Sequence, residues 1–220
     1  MQKQIISGVL VATATAMAGV AQAELTANVG VTSNYVFRGV TQTDDSPAVQ
    51  GGIDFTHNSG LYAGIWGSNV EDNAGNDGFE YDLYVGYNFR VNDKVGFDVG
   101  YITYQYTDDA IKNARETDEI FVGVSFMDFS ATYYDGDPNS GQDYSYIDLK
   151  YTLALPEDIN LHLHYGSLDN GTDAEDASIG VSKNIGGFDM SLTFTTYDPD
   201  NGNDENELFI TVTKAFELMK

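Results

Sequence analysis

Between Phe79 and Val91 every second residue is apolar or aromatic: Phe79, Tyr81, Leu83, Val85, Tyr87, Phe89 and Val91 alternate with Glu80, Asp82, Tyr84, Gly86, Asn88 and Arg90. A period of two puts the two sets on opposite faces of a strand. Soluble strands run to about 5–6 residues. This one is longer, and it satisfies the roughly 9–11 residues that a tilted strand needs to cross a bilayer.

The alternation recurs along the chain. Ile147, Leu149, Tyr151, Leu153 and Leu155 alternate with Asp148, Lys150, Thr152 and Ala154. Leu161, Leu163 and Tyr165 alternate with His162, His164 and Gly166; Phe188, Met190, Leu192 and Phe194 with Asp189, Ser191, Thr193 and Thr195. Helical periodicity is nearly absent. The pattern predicts twelve strands near 25–40, 48–57, 61–70, 79–91, 95–106, 119–127, 129–135, 144–155, 160–168, 177–185, 188–197 and 207–216. In the fifth, Ile102, Tyr104 and Tyr106 reverse the apolar parity, which predicts a bulge.

Connections sort by length. Long ones fall at Thr41–Pro47, Glu71–Gly78, Thr107–Asp118, Asp135–Asp143, Asp169–Asp176 and Asp198–Asn206. Short ones fall at His57–Gly60, Asn92–Lys94, Met127–Asp128, Pro156–Ile159 and Gly186–Gly187. Long loops at one end, short turns at the other and an even strand number predict an all-β fold: a closed antiparallel transmembrane β-barrel of the outer-membrane kind.

The first residues read differently. Met1 to Gln4 carry one positive charge, Ile5 to Val20 are apolar and small, and Ala21-Gln22-Ala23 has the form of a cleavage site. Residues 1–23 are therefore expected to be a signal peptide and residues 24–220 the barrel. No later stretch could span as a helix, so a membrane location requires strands.

Charge narrows the function. Against 34 acids stand 10 bases, a net charge of −24, and this excludes nucleic acid as a partner. Most of the acids lie in the long connections, where Lys112 and Arg115 are the accompanying bases. Such an acidic rim is expected to be solvated, next to outer-membrane lipid and lipopolysaccharide, with adventitious divalent cations. The stretch Asp198 to Glu205 has the composition of a calcium loop but not its residue order or its flanking helices. With no cysteine, thiol catalysis and cysteine zinc sites are excluded. Neither a G-x-S-x-G, H-E-x-x-H nor phosphate-loop motif occurs, and no cofactor, metal site or enzymatic activity is expected.

By strand parity the inward set is Arg38, Asp54, Glu80, Asp82, Arg90, Asp98, Asp148, Lys150, His162, His164 and Asp189. Mixed charge inside a closed barrel fits a wet lumen, since isolated charges are costly in a dry core. Twelve strands about 4.8 Å apart and tilted about 40° give a backbone radius of roughly 12 Å. The interior is then either a narrow pore or nearly filled. Arg38 is expected to line a constriction or to neutralise Asp54. His162 and His164, at i and i+2, offer a base for a barrel-embedded hydrolase, but a nucleophile and an orienting group must complete it. Tyr35, Tyr62, Tyr81, Tyr87, Tyr101, Tyr133, Tyr144, Tyr151, Tyr165 and Tyr197, with Trp66, suit interfacial girdles, with some of them lumenal.

Three segments carry a resemblance: Ser-Asn-Tyr-Val-Phe-Arg-Gly-Val-Thr-Gln-Thr at 33–43, Pro-Ala-Val-Gln-Gly-Gly-Ile-Asp at 47–54 and Gly-Leu-Tyr-Ala-Gly-Ile-Trp-Gly-Ser-Asn-Val at 60–70. They resemble the TorF-type porin family of proteobacteria. The resemblance implies an outer-membrane barrel of the porin kind, with no substrate assigned across the family. It marks Arg38, at the centre of the best-matched segment. Outer-membrane barrels usually end on an aromatic residue; here Phe216 is followed by Glu217 to Lys220. Together these features predict a passive channel for small hydrophilic solutes or ions with modest cation preference. The alternatives are the hydrolase and a closed structural or adhesive barrel.

Overall fold

The computed structural model describes residues 23–72, 74–139, 141–171 and 173–220. The expected signal peptide lies outside them except for Ala23. The long strands are β1 (Ala23–Thr32), β4 (Ala48–His57), β5 (Leu61–Glu71), β6 (Asp77–Arg90), β7 (Val95–Tyr106), β8 (Thr117–Phe126), β9 (Phe129–Pro138), β10 (Tyr144–Leu155), β11 (Ile159–Asp169), β12 (Ala174–Ile185), β13 (Phe188–Pro199) and β14 (Glu205–Met219). Between β1 and β4 lie the two-residue strands β2 (Val36–Phe37) and β3 (Val40–Thr41). The helix α1 (Asp109–Arg115) joins β7 to β8.

Among the described residues the twelve long strands form one closed antiparallel barrel, each paired with its sequence neighbour and β1 with β14. The closing ladder runs from Leu25↔Met219 to Thr32↔Thr211. Its one register shift, between Leu25 and Thr26, is the bulge of that seam. The residues after Phe216 therefore continue the last strand, with Glu217 opposite Thr26 and Met219 opposite Leu25. Several strands run past their expected ends, β9 to Pro138 and β12 from Ala174, which shortens the long loops.

The outward face is apolar from strand to strand. Val29, Ile53, Ile65, Leu83, Val85, Val99, Val122, Ile147, Leu163, Ile179, Leu192 and Ile210 are all exposed. An apolar surface this extensive is untenable in water and natural in lipid. Tyr87, Tyr101, Tyr133, Tyr151 and Tyr165 stand among these outward residues. Tyr35, Tyr62, Trp66, Tyr144 and Tyr197, however, point inward and leave the girdle.

The expected bulge in the fifth strand is absent. β6 and β7 pair without a break from Glu80↔Tyr106 to Arg90↔Gly96. Ile102, Tyr104 and Tyr106 are buried inside the barrel, where they pack with Tyr62, Phe121, Tyr134 and Tyr146. Parity reversed because part of the interior is a dry aromatic core. Glycines make room for it. Tyr62 faces Gly86 and Gly64 faces Tyr84 across β5–β6, and a Cβ at either glycine would overlap the opposite ring.

α1 closes one part of the long-loop end. Asp108 caps it by accepting from the amides of Ala110 and Ile111, and Ile111 is buried beneath it. In the β5–β6 loop, Asp72 accepts from the Asn76 side chain and amide, which holds this exposed carboxyl below its ordinary pKa.

The sorting of loops fixes an orientation: Asp200 sits in a long-loop connection and Asp93 in a short turn. Cysteines placed at these two positions are expected to label differently on intact cells with a membrane-impermeant maleimide, Asp200→Cys reacting and Asp93→Cys not. Equal labelling would reject this orientation.

Candidate lumenal constriction

The chain does not run straight from β1 to β4. After Thr32, whose hydroxyl donates to the Asn34 carbonyl at 2.8 Å, it turns into the barrel. β2 and β3 pair there through Val36↔Thr41 and Phe37↔Val40. Arg38 and Gly39 form the tip with φ of 48° and 81°, the two positive values of a tight hairpin turn. Glycine takes such a φ freely; in arginine it is uncommon and is retained only where the surroundings hold it.

Those surroundings lie across the lumen. The Arg38 guanidinium forms a 2.7 Å ion pair with Glu119 of β8, a side chain with no exposure. It also stands 4.1 Å from the ring centre of Tyr146 on β10 and 5.0 Å from that of Tyr134 on β9. A Cβ on Gly39 would meet Asp176 of β12 at 2.8 Å and Tyr197 of β13 at 2.9 Å. The tip is thus seated on the wall opposite its own strands. Along its flank Tyr35 packs edge-on against Trp66 at 5.4 Å, and Phe37 lies 5.7 Å from Tyr104.

The hairpin is also fastened at the rim. The Glu71 amide donates to the Gln42 carbonyl, and Arg115 of α1 donates to the Gln42 side chain, both at 2.9 Å. The Asn34 amide group donates to Asp45 and to Glu207 of β14. It is a fixed crossbar that narrows the lumen.

The structure corrects the sequence reading of Arg38 in two ways. It stands on the hairpin, not on a strand of the wall, and it pairs with Glu119, not Asp54. Asp54 accepts instead from the Tyr84 hydroxyl. Glu80, Asp82, Asp98 and Asp148 are buried inside as parity predicts. Arg90 and Asp189 sit at the short-turn mouth, Arg90 exposed and Asp189 accepting from Asn184 at 2.9 Å.

The interior charges divide into two fields. On the β8–β12 side every acid meets a base or a histidine. Besides Glu119 with Arg38, Lys150 reaches Asp148 at 2.6 Å, and His164 lies between Asp148 at 3.4 Å and Asp176 at 3.3 Å. Tyr146 donates to Asp176 at 2.8 Å. On the β4–β7 side, among the described residues, Asp54, Glu80, Asp82 and Asp98 have no ion pair, and Asp54, Glu80 and Asp98 rest on tyrosine hydroxyls. Tyr62 donates to Asp98 at 2.9 Å and Tyr35 to Glu80 at 3.4 Å. The Asp82 Oδ1 has no hydrogen-bond partner.

His162 meets Ser182 at 2.8 Å through Nε2 and Thr152 at 3.3 Å through Nδ1. This is a serine–histidine contact with a hydroxyl where a triad places its orienting carboxylate. The inward set read from parity lacks Glu119, the first residue of an expected strand, and Asp176, the last of an expected long connection, yet both face the interior. Among the described residues no cluster of three metal-ligating side chains occurs.

A closed barrel with an apolar exterior, a charged interior and an inward hairpin belongs to the class of transmembrane β-barrels. The chain belongs to the Gcw_chp family, described as a bacterial protein of unknown function, whose model matches residues 15–218. No curated protein matches it. Among solved structures, the KdgM porin aligns with a TM-score of 0.60 at 9% identity, over 87% of this chain and 99% of the porin. The KdgM porin in complex with disordered oligogalacturonate aligns at 0.58 and 8% identity, over 88% and 99%. A structure from a study of in-meso crystallization of membrane proteins aligns at 0.57 and 14% identity, over 89% and 84%. These likenesses show the fold.

The Arg38–Glu119 pair generates a test. Arg38→Ala leaves Glu119 buried and unpaired, which is expected to destabilise the folded barrel by roughly 3–5 kcal/mol. Arg38→Met combined with Glu119→Gln should recover most of that loss in urea unfolding followed in detergent. A loss under about 1 kcal/mol for Arg38→Ala would mark the pair as solvent-screened.

Proposed function

We propose that the chain is an outer-membrane channel, exported through a cleaved signal peptide, that passes small hydrophilic solutes or ions by diffusion with a modest preference for cations. It carries out no covalent chemistry. The observation that supports this reading most is the field of carboxylates without an ion pair along β4–β7, beside the crossbar that narrows the lumen. Carboxylates in a confined space lower the energy of cations there and raise that of anions. The acidic rim adds to the effect by concentrating cations at the mouth. That rim is a solvated face beside lipopolysaccharide, with divalent cations bound adventitiously.

The same charge argues against the ligand of the KdgM complex. Oligogalacturonate is a polyanion, and Asp54, Glu80, Asp82 and Asp98 would repel it. A second reading has an observation of its own: the crossbar and the aromatic core could fill the lumen and make a closed structural barrel. Such a barrel would fold and pass no current.

Reversal potentials across planar bilayers separate these readings. A cation-side potential is expected, and it should shrink as salt rises, because the screening length falls from about 8 Å at 0.15 M to about 3 Å at 1 M. Asp98→Asn should reduce the preference more at high salt than neutralising the loop acids does, since the lumenal group is less screened. Asp148, paired with Lys150, should contribute little. Anion preference would overturn the charge argument, and absence of conductance would favour the closed barrel.

A further inference from the structure

We infer that the cavity between the hairpin and the β14–β1–β4–β7 wall is a binding site for a small organic ammonium ion. It has a volume of about 140 Å³, and Asp54, Asp82, Trp66, Tyr84, Phe37 and Phe209 are among its lining residues. The inference rests on the proposed channel only in requiring that the ligand reach the interior.

Two independent features specify the ligand. Its charge is set by Asp82 and Asp54, which are 2% and 5% exposed. Among the described residues neither has an ion pair, and the Asp82 Oδ1 is without a hydrogen-bond partner. A buried carboxylate of this kind is stabilised by a cation. Its organic character is set by the rings. A metal ion would require several oxygen ligands converging on it, and no cluster of three ligating side chains occurs among the described residues. Aromatic side chains beside carboxylates instead favour a weakly hydrated alkylammonium, which ring quadrupoles attract.

Size bounds the ligand from above. A cavity of about 150 Å³ accepts benzene, so this one suits a headgroup of similar bulk. The hairpin completes the site. Phe37 is carried on β2, so the seating of Arg38 on the far wall holds this side of the pocket in place.

The protein supplies its own reporter, because Trp66 is the single tryptophan. Tetramethylammonium chloride is titrated into the refolded full chain in detergent at pH 8 while Trp66 fluorescence is followed, with tert-butanol as a neutral control of the same size and potassium chloride as the ionic-strength control. A saturable change with tetramethylammonium alone is expected. Its midpoint should rise by about tenfold or more in Asp82→Asn. Asp54→Asn is the second variant, and a heat-modifiable band on electrophoresis verifies folding of each. If neither variant folds, the comparison of the two probes on the unaltered protein decides.

A linear response, or a tert-butanol curve that matches the tetramethylammonium one, would overturn the site. So would an unchanged midpoint in folded Asp82→Asn and Asp54→Asn. Conductance of the same preparation separates the two proposals. An open channel without saturable tetramethylammonium binding removes the site and leaves the channel. Saturable binding without conductance removes the channel and leaves the site.

Discussion

The closed hydrogen-bonded ladder is the constraint on which the rest of this molecule depends. In hydrocarbon no water is present to satisfy a backbone amide or carbonyl, so a sheet can lie in lipid only if it has no open edge. The seam between β1 and β14 meets that demand from Leu25↔Met219 to Thr32↔Thr211. Closure then forces every other feature. One face of each strand must be apolar, the other must fill or line the interior, and side chains too polar for lipid can only point inward. The buried positions of Glu80, Asp82, Asp98 and Asp148 follow from that division.

Filling a barrel of this size poses a packing problem that the chain solves with tyrosine. A tyrosine ring occupies volume like phenylalanine, and its hydroxyl supplies a donor where a carboxylate needs one. Tyr84 serves Asp54, Tyr62 serves Asp98, and Tyr104 and Tyr144 both serve Glu119. The rings lie flat only because glycines face them, Gly86 under Tyr62 and Gly64 under Tyr84. Interior glycine, interior tyrosine and interior acid are thus one construction. Changing a single member leaves the other two unsupported.

The barrel, its strand number and most of its inward acids were legible because a period of two persists through a whole ladder once one residue is placed. Two things were not. The first strand was expected to run to residue 40, so the hairpin read as its end; the Arg-Gly pair at its tip was the one local turn signal. Tyrosine was ambiguous by its own chemistry, since a ring with a polar tip suits a lipid interface and a lumen equally. The bulge expected at Ile102 had the same origin. Parity presupposes a polar interior, and beside the hairpin the interior is aromatic.

The hairpin also accounts for where the lumenal charge is left bare. It carries Arg38 past β4–β7 and delivers it to Glu119 on the far wall. Lys150 and His164 lie on that far side as well, with Asp148 and Asp176. The near wall keeps Asp54, Glu80 and Asp98 on neutral hydroxyls and leaves one oxygen of Asp82 without a partner. A barrel selected for stability alone would gain by exchanging such groups for apolar ones, since buried charge is often neutral or costly beside a well-packed hydrophobic alternative. In the channel proposed above, the four acids, grouped on one wall with two of them on the cavity under the crossbar, are the groups that would handle cations.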